Sequence, residues 1–219
     1  MTDSNASEQV FHHDKHVEYI KKVANDTESF EFLVSQYLRM SGVYWGMAAI
    51  GVLGEPFERA LDPNSIVQWL LTCQDKATGG FGGNTNHDSH LLYTLSALQI
   101  LAMTNNLDLI DKLVVAKYIS SLQQEDGSFI GDIWGEVDTR FAHICYILVI
   151  CTLLAHFSIS FTMLLMRTYA HRFSYCALSS LSILGLLTDE YIDLPKAVEY
   201  ISRYDNTTLN AIFYRIIQY

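Results

Sequence analysis

Apolar residues recur at three- and four-residue steps through most of this 219-residue chain, and the rhythm stops and restarts at Gly, Pro, Asp and Asn. His16, Tyr19, Ile20 and Val23 fall on one helical face. Met40, Val43, Tyr44, Met47 and Ile50 form a second, buried one, within a run where Ser41-Gly42 predicts a break between two helices and Gly54 with Pro56 a stop. Asp62-Pro63-Asn64-Ser65 predicts the start of a helix over 66–73. A further helix is expected over 91–103, ended by Asn105-Asn106, and another over 107–124, ended by the Asp126-Gly127 turn. Pro195 suits the first turn of one more. The chain reads as all-α.

Two of the interruptions are copies of each other. Cys73-Gln74-Asp75-Lys76-Ala77-Thr78-Gly79-Gly80-Phe81-Gly82-Gly83, running on to Asp88-Ser89-His90, matches Leu122-Gln123-Gln124-Glu125-Asp126-Gly127-Ser128-Phe129-Ile130-Gly131, running on to Asp138-Thr139-Arg140. Gln74 pairs with Gln123 at a separation of 49, Phe81 with Phe129 at 48, and Asp88 with Asp138 at 50. A self-similarity of this period marks an array of helical pairs joined by structured loops. In the second copy, Glu136 and Asp138 place negative charge where the following helix would begin. A third unit opens at Ala197-Val198-Glu199-Tyr200-Ile201-Ser202, which matches Val115-Ala116-Lys117-Tyr118-Ile119-Ser120.

One segment breaks the array. Residues 144–166 contain no Asp, Glu, Lys or Arg, which by length fits a membrane-spanning helix. The array itself favours an insertion. Without 142–173, Leu178-Ser179-Ser180-Leu181-Ser182-Ile183-Leu184 falls into register with Leu95-Ser96-Ala97-Leu98-Gln99-Ile100-Leu101, and Arg140-Phe141 is echoed by Arg172-Phe173 at the seams. The segment reads as an apolar insert of the kind a translated intron leaves.

Composition narrows the function. A net charge of −10 argues against gripping nucleic acid or anionic lipid. Cys73, Cys145, Cys151 and Cys176 make no CxxC pair, so neither a zinc knuckle nor a disulfide framework is suggested, and a cytoplasmic setting is expected. Residues 1–9 read as a disordered start. His12, His13 and His16 lack a fourth neighbouring ligand and read as a solvated helix face rather than a metal site. Small residues beside Tyr44 and Trp45 allow either tight helix packing or a groove for an apolar ligand.

Three stretches carry a family resemblance: Tyr37-Leu38-Arg39-Met40-Ser41-Gly42-Val43-Tyr44-Trp45-Gly46, His87-Asp88-Ser89-His90-Leu91-Leu92-Tyr93-Thr94-Leu95-Ser96-Ala97, and Asp126 through Gly131-Asp132-Ile133-Trp134-Gly135-Glu136 to Phe141. They resemble the protein prenyltransferase β subunits, those of Rab geranylgeranyltransferase (type II) in particular. The resemblance covers 10–141 and 174–203, leaving 142–173 as the insert and 204–219 as an aberrant tail.

That resemblance implies an α/α toroid whose aromatic cavity holds a geranylgeranyl chain, delivered as geranylgeranyl diphosphate. In the family a zinc ion activates a cysteine thiolate of a Rab GTPase, and an α subunit and a Rab escort protein complete the machine. Matched residue by residue, Ser41 and Leu95 give the isoprenoid room, Tyr44, Trp45 and Tyr93 line its cavity, and Arg140 is the basic residue facing the central cavity. The zinc ligands and diphosphate-binding residues of the family lie beyond its third repeat and have no match here. The expectation is therefore no catalytic or metal-ligating residue, no zinc bound, and a form inactive by itself. Alternatives are a non-catalytic fragment that binds the α subunit or prenyl lipid, a single-pass membrane protein through 144–166, and a glycosidase using Glu136 and Asp138.

Overall fold

The computed structural model describes residues 11–136 and 172–203. Helices α1 (His13–Asn25), α2 (Phe30–Val34), α3 (Arg39–Val52), α4 (Pro63–Thr72), α5 (Leu91–Met103), α6 (Lys112–Ser121), α7 (Arg172–Leu184) and α8 (Leu194–Arg203) make up the regular structure. Residues 1–9, Arg140, the span 144–166 and the segment 204–219 lie outside the described residues, as does all of 142–173 except Arg172 and Phe173. No helix among the described residues is long and apolar enough to cross a membrane.

Caps decide where the helices start. Asp62 accepts hydrogen bonds from the Asn64 and Ser65 amides, with Pro63 in the first turn of α4. Asp111 does the same for the Leu113 and Val114 amides. This corrects the expected 107–124 helix: a 3-10 turn, Leu107–Leu109, is followed by extended Ile110, and the α-helix begins only where Asp111 caps it. The expected break at Ser41-Gly42 is also corrected. Helix α3 runs unbroken from Arg39 to Val52, and the chain turns earlier, through the 3-10 turn Gln36–Leu38. A helical glycine costs only about 1 kcal/mol relative to alanine, and burial of Met40, Met47 and Ile50 on the same helix outweighs it.

The sequence repeat is a repeat in space. Gln74 bridges Phe81, and Gln123 bridges Phe129. The carbonyls of Cys73 and Leu122 accept from the amides of Gly82 and Ile130, while the Asp75 and Gln124 amides donate to the Gly80 and Ser128 carbonyls. Each loop then feeds the preceding helix of its layer: Met40 donates its amide to the Gly83 carbonyl at 2.9 Å, and Leu91 donates to the Gly131 carbonyl at 2.7 Å.

Gly79 and Gly127 both sit at φ +87°, a left-handed conformation that disfavours a side chain. A Cβ on Gly79 would lie 2.4 Å from Val114 Cγ1, and one on Gly127 2.2 Å from the Lys196 carbonyl oxygen. Val114 and Lys196 are the third residues of α6 and α8. Each loop thus packs on the same turn of the helix that opens the next unit.

Helices α3, α5 and α7 pack side by side in sequence, with α4 against α5 and α6 against α7. Between them lies one core that includes Leu70, Phe81, Leu91, Leu98, Ile119, Leu122 and Leu178. Helix α7 therefore adjoins α5 much as α5 adjoins α3. A smaller cluster of Val17, Ile50 and Ala60 seats α1 against α3.

Candidate functional site

The residues matched to prenyl binding lie along α3 and α5, two adjacent helices of the repeated layer. Ser41 and Tyr44 are half-buried on α3, and Trp45 is exposed beside them. The Tyr44 and Trp45 rings are 4.9 Å apart, tilted 57°. The Tyr44 hydroxyl accepts from Gln99 Nε2 of α5 at 3.2 Å, which links the two helices at their polar edge. Tyr93 is half-buried on α5, and burial pushes its phenol above the usual range, with the charges of Tyr37 and Glu136 adding to the shift. Leu95 lies in the main core with 5% of its surface exposed, packed by protein rather than bordering an open face. The structure sets Tyr44 beside Trp45 and carries Tyr93 on the neighbouring helix; Arg140 is outside the described residues.

In the sequence, Glu136 reads as a charge at the entry of the next helix or, with Asp138, as one of a carboxylate pair; Asp138 lies outside the described residues. In the structure Glu136 reaches back to the start of α5. His90, the N-cap of α5, accepts the Leu92 amide hydrogen on Nδ1 at 3.1 Å. Its Nε2 lies 3.1 Å from Glu136 Oε2. Asp132 accepts from the Trp134 and Glu136 amides, each at 3.0 Å, and so folds the tip of the second loop. His90, Asp132 and Glu136 offer ligand atoms within 4.8 Å of one another. Both motifs were visible in the sequence, but 46 residues separate His90 from Glu136 and only the fold joins them.

The group does not fit the zinc ion that the resemblance implies. Zinc takes a histidine nitrogen through its lone pair, with the other ring N–H donating to an acceptor. Here Nδ1 faces a donor, the Leu92 amide, so the ring's proton must sit on Nε2, pointing at Glu136. Of the described cysteines, Cys73 and Cys176 are both buried, and burial pushes the Cys73 thiol up, away from an activated thiolate. Among the three early histidines, His13 bonds the Leu53 carbonyl at 3.0 Å and His16 stacks on Phe11.

An all-helical array of two-helix units, joined by matching glycine-rich loops and lined with aromatic residues on successive helices, defines an α/α repeat fold. A family model described as the prenyltransferase alpha-alpha toroid domain matches residues 11–168 and 159–208, and the chain belongs to that family. It is similar to the geranylgeranyl transferase type-2 subunit beta of Saccharomyces cerevisiae, at 36% identity over 191 residues that cover 86% of this chain and 48% of the relative. The protein of the same name in Candida albicans is 34% identical over 201 residues, 86% of this chain and 48% of its own. Geranylgeranyl transferase type-2 subunit beta 1 of Arabidopsis thaliana is 48% identical over 89 residues, 41% of this chain and 27% of its own. The chain spans about half the length of the two yeast relatives.

Proposed function

We propose that this chain serves as the lipid-side part of a type-2 geranylgeranyl transferase β subunit, acting with an α subunit on geranylgeranyl diphosphate and Rab proteins presented by an escort protein, in the cytoplasm. One observation carries the reading. The residues that the resemblance matches to a lipid cavity, Tyr44, Trp45 and Tyr93 with small Ser41, lie on adjacent helices of the repeated layer, and each keeps surface uncovered by the core. Aromatic walls beside a small side chain suit a long apolar isoprenoid chain better than a polar ligand.

The chemistry expected of the whole enzyme is attack of a cysteine thiolate on the prenyl carbon bearing diphosphate. Residues described here would bind and orient the chain, not perform that step. The chain length the pocket accepts provides the test. One isoprene unit is five carbons, so burying it is worth roughly 3–4 kcal/mol before ordering costs. Ser41→Trp should fill part of that depth and move the ratio of dissociation constants from geranylgeranyl toward farnesyl diphosphate by tenfold or more. Leu95→Tyr is the weaker probe, because Leu95 is packed by protein and overpacking it would cost about 1–3 kcal/mol of stability. Competition binding of the two diphosphates to the chain coexpressed with an α subunit checks this, and an unchanged ratio with Ser41→Trp removes Ser41 from the pocket.

A further inference from the structure

His90 is engaged through both ring nitrogens and through its ring contacts at the second repeat joint. Its Nδ1 caps α5 through the Leu92 amide, and its Nε2 meets Glu136. One edge of the ring packs on Phe173, the second residue of α7, at 5.5 Å and 66°. The ring also lies 5.5 Å from Tyr93. Gly131 holds the loop against it: a Cβ there would be 2.7 Å from His90 Nε2 and 2.8 Å from Phe173 Cζ. The imidazole therefore touches the loop, both helices of the α5–α7 pair and one candidate lipid-lining ring.

The two nitrogens have opposite assignments. The Leu92 amide can only donate, so Nδ1 must present a lone pair, and Nε2 must carry the hydrogen that Glu136 accepts. We propose that His90, held as its Nε2–H tautomer, is a positioning residue that joins the second loop to α5 and sets the Tyr93 ring, and that the His90–Asp132–Glu136 group works as a hydrogen-bonded strut and not as a cation site. The Tyr93 part rests on the proposed lipid function; the strut itself does not.

Amide substitutions separate the two bonds. Asparagine at position 90 can still cap α5, because its Oδ1 reaches the amide two residues on, but it is too short for Glu136. Glutamine carries an N–H near the position of Nε2 and is a poor cap. Hydrogen–deuterium exchange of the full chain, with and without equimolar zinc, reads both sites. His90→Asn should speed exchange in 131–136 about fivefold and leave the Leu92 amide protected, while His90→Gln should do the reverse. Glu136→Gln keeps an acceptor oxygen and should rescue the loop, whereas Glu136→Leu should not. Zinc should change none of these rates.

Slowed exchange in 131–136 on adding zinc, lost in Glu136→Gln, would overturn the strut in favour of a metal site. Equal effects of both His90 variants at both sites would reduce His90 to simple packing and also overturn it. For Tyr93, the affinity of the α-subunit complex for geranylgeranyl diphosphate should fall about fivefold in His90→Asn and hold in Glu136→Gln; equal affinities would remove the link to Tyr93. If the unaltered complex bound no geranylgeranyl diphosphate, the lipid reading and the Tyr93 link would fail together, and the exchange pattern would still decide the strut.

Discussion

At the scale of single residues, the loop glycines are the positions least able to change. Gly127 combines φ +87° with a neighbouring backbone carbonyl 2.2 Å from where a Cβ would stand. Left-handed backbone alone costs a non-glycine residue about 1–2 kcal/mol, and the Lys196 carbonyl belongs to helix α8 and cannot step aside as a side-chain tip would. Gly79 has the same φ, but its nearest neighbour is a methyl group of Val114, which has more freedom to adjust. Gly127→Ala should therefore lower stability by more than about 2 kcal/mol, and by more than Gly79→Ala. Urea midpoints of the two variants check the order; equal midpoints would mean that α8 shifts freely on the loop.

At the scale of elements, the two loops share an electrostatic signature. Asp75 accepts from the Ala77 amide and the Thr78 hydroxyl, and Asp126 from the Ser128 amide and hydroxyl. These bonds favour the ionised form: the Ala77 amide chiefly holds the Asp75 carboxyl below its ordinary range, and the Ser128 side chain does so for Asp126. Depressed carboxylates add stability above the unfolded pKa of about 4 and lose it as pH falls through the folded value. Both loops should loosen together on acidification below about pH 4, while unchanged protection is expected between pH 6 and 5. Amide exchange over 75–80 and 124–128 tests this, and the expectation fails if Asp75→Asn and Asp126→Asn leave the acid response as it was.

At the scale of the whole molecule, the array holds register across 137–171. Gly79 meets Val114 and Gly127 meets Lys196 at the same turn of successive helices, although the second pair is much farther apart in sequence. Arg172-Phe173 opens α7, with Phe173 buried. Because Arg140-Phe141 repeats that pair, deleting 142–173 or 140–171 yields the same polypeptide. Either deletion supplies an Arg-Phe ahead of Ser174 and every other residue of α7. The shortened chain should keep a strong helical mean-residue circular dichroism signal and a single cooperative unfolding transition, and run more cleanly as a monomer on size exclusion. A noncooperative melt would show that the array needs the segment.

The sequence by itself determined the repeat. The period near 50, the glycine-rich loops and the helix over 91–103 were legible because a tight turn and a buried helical face each demand particular residue types at fixed spacing. Leu178–Leu184 keeps the apolar spacing of Leu95–Leu101, and the helices that carry them pack together. Propensity misled where neighbours outweighed it: Ser41-Gly42 continues as helix because Met40, Met47 and Ile50 are buried around it, and α6 starts late because a cap competes locally with periodicity. Only the tertiary structure decided that His90 meets Glu136. Hydrogen bonds between residues 46 apart leave no periodicity in the chain, and their direction depends on which nitrogen the fold turns toward the Leu92 amide.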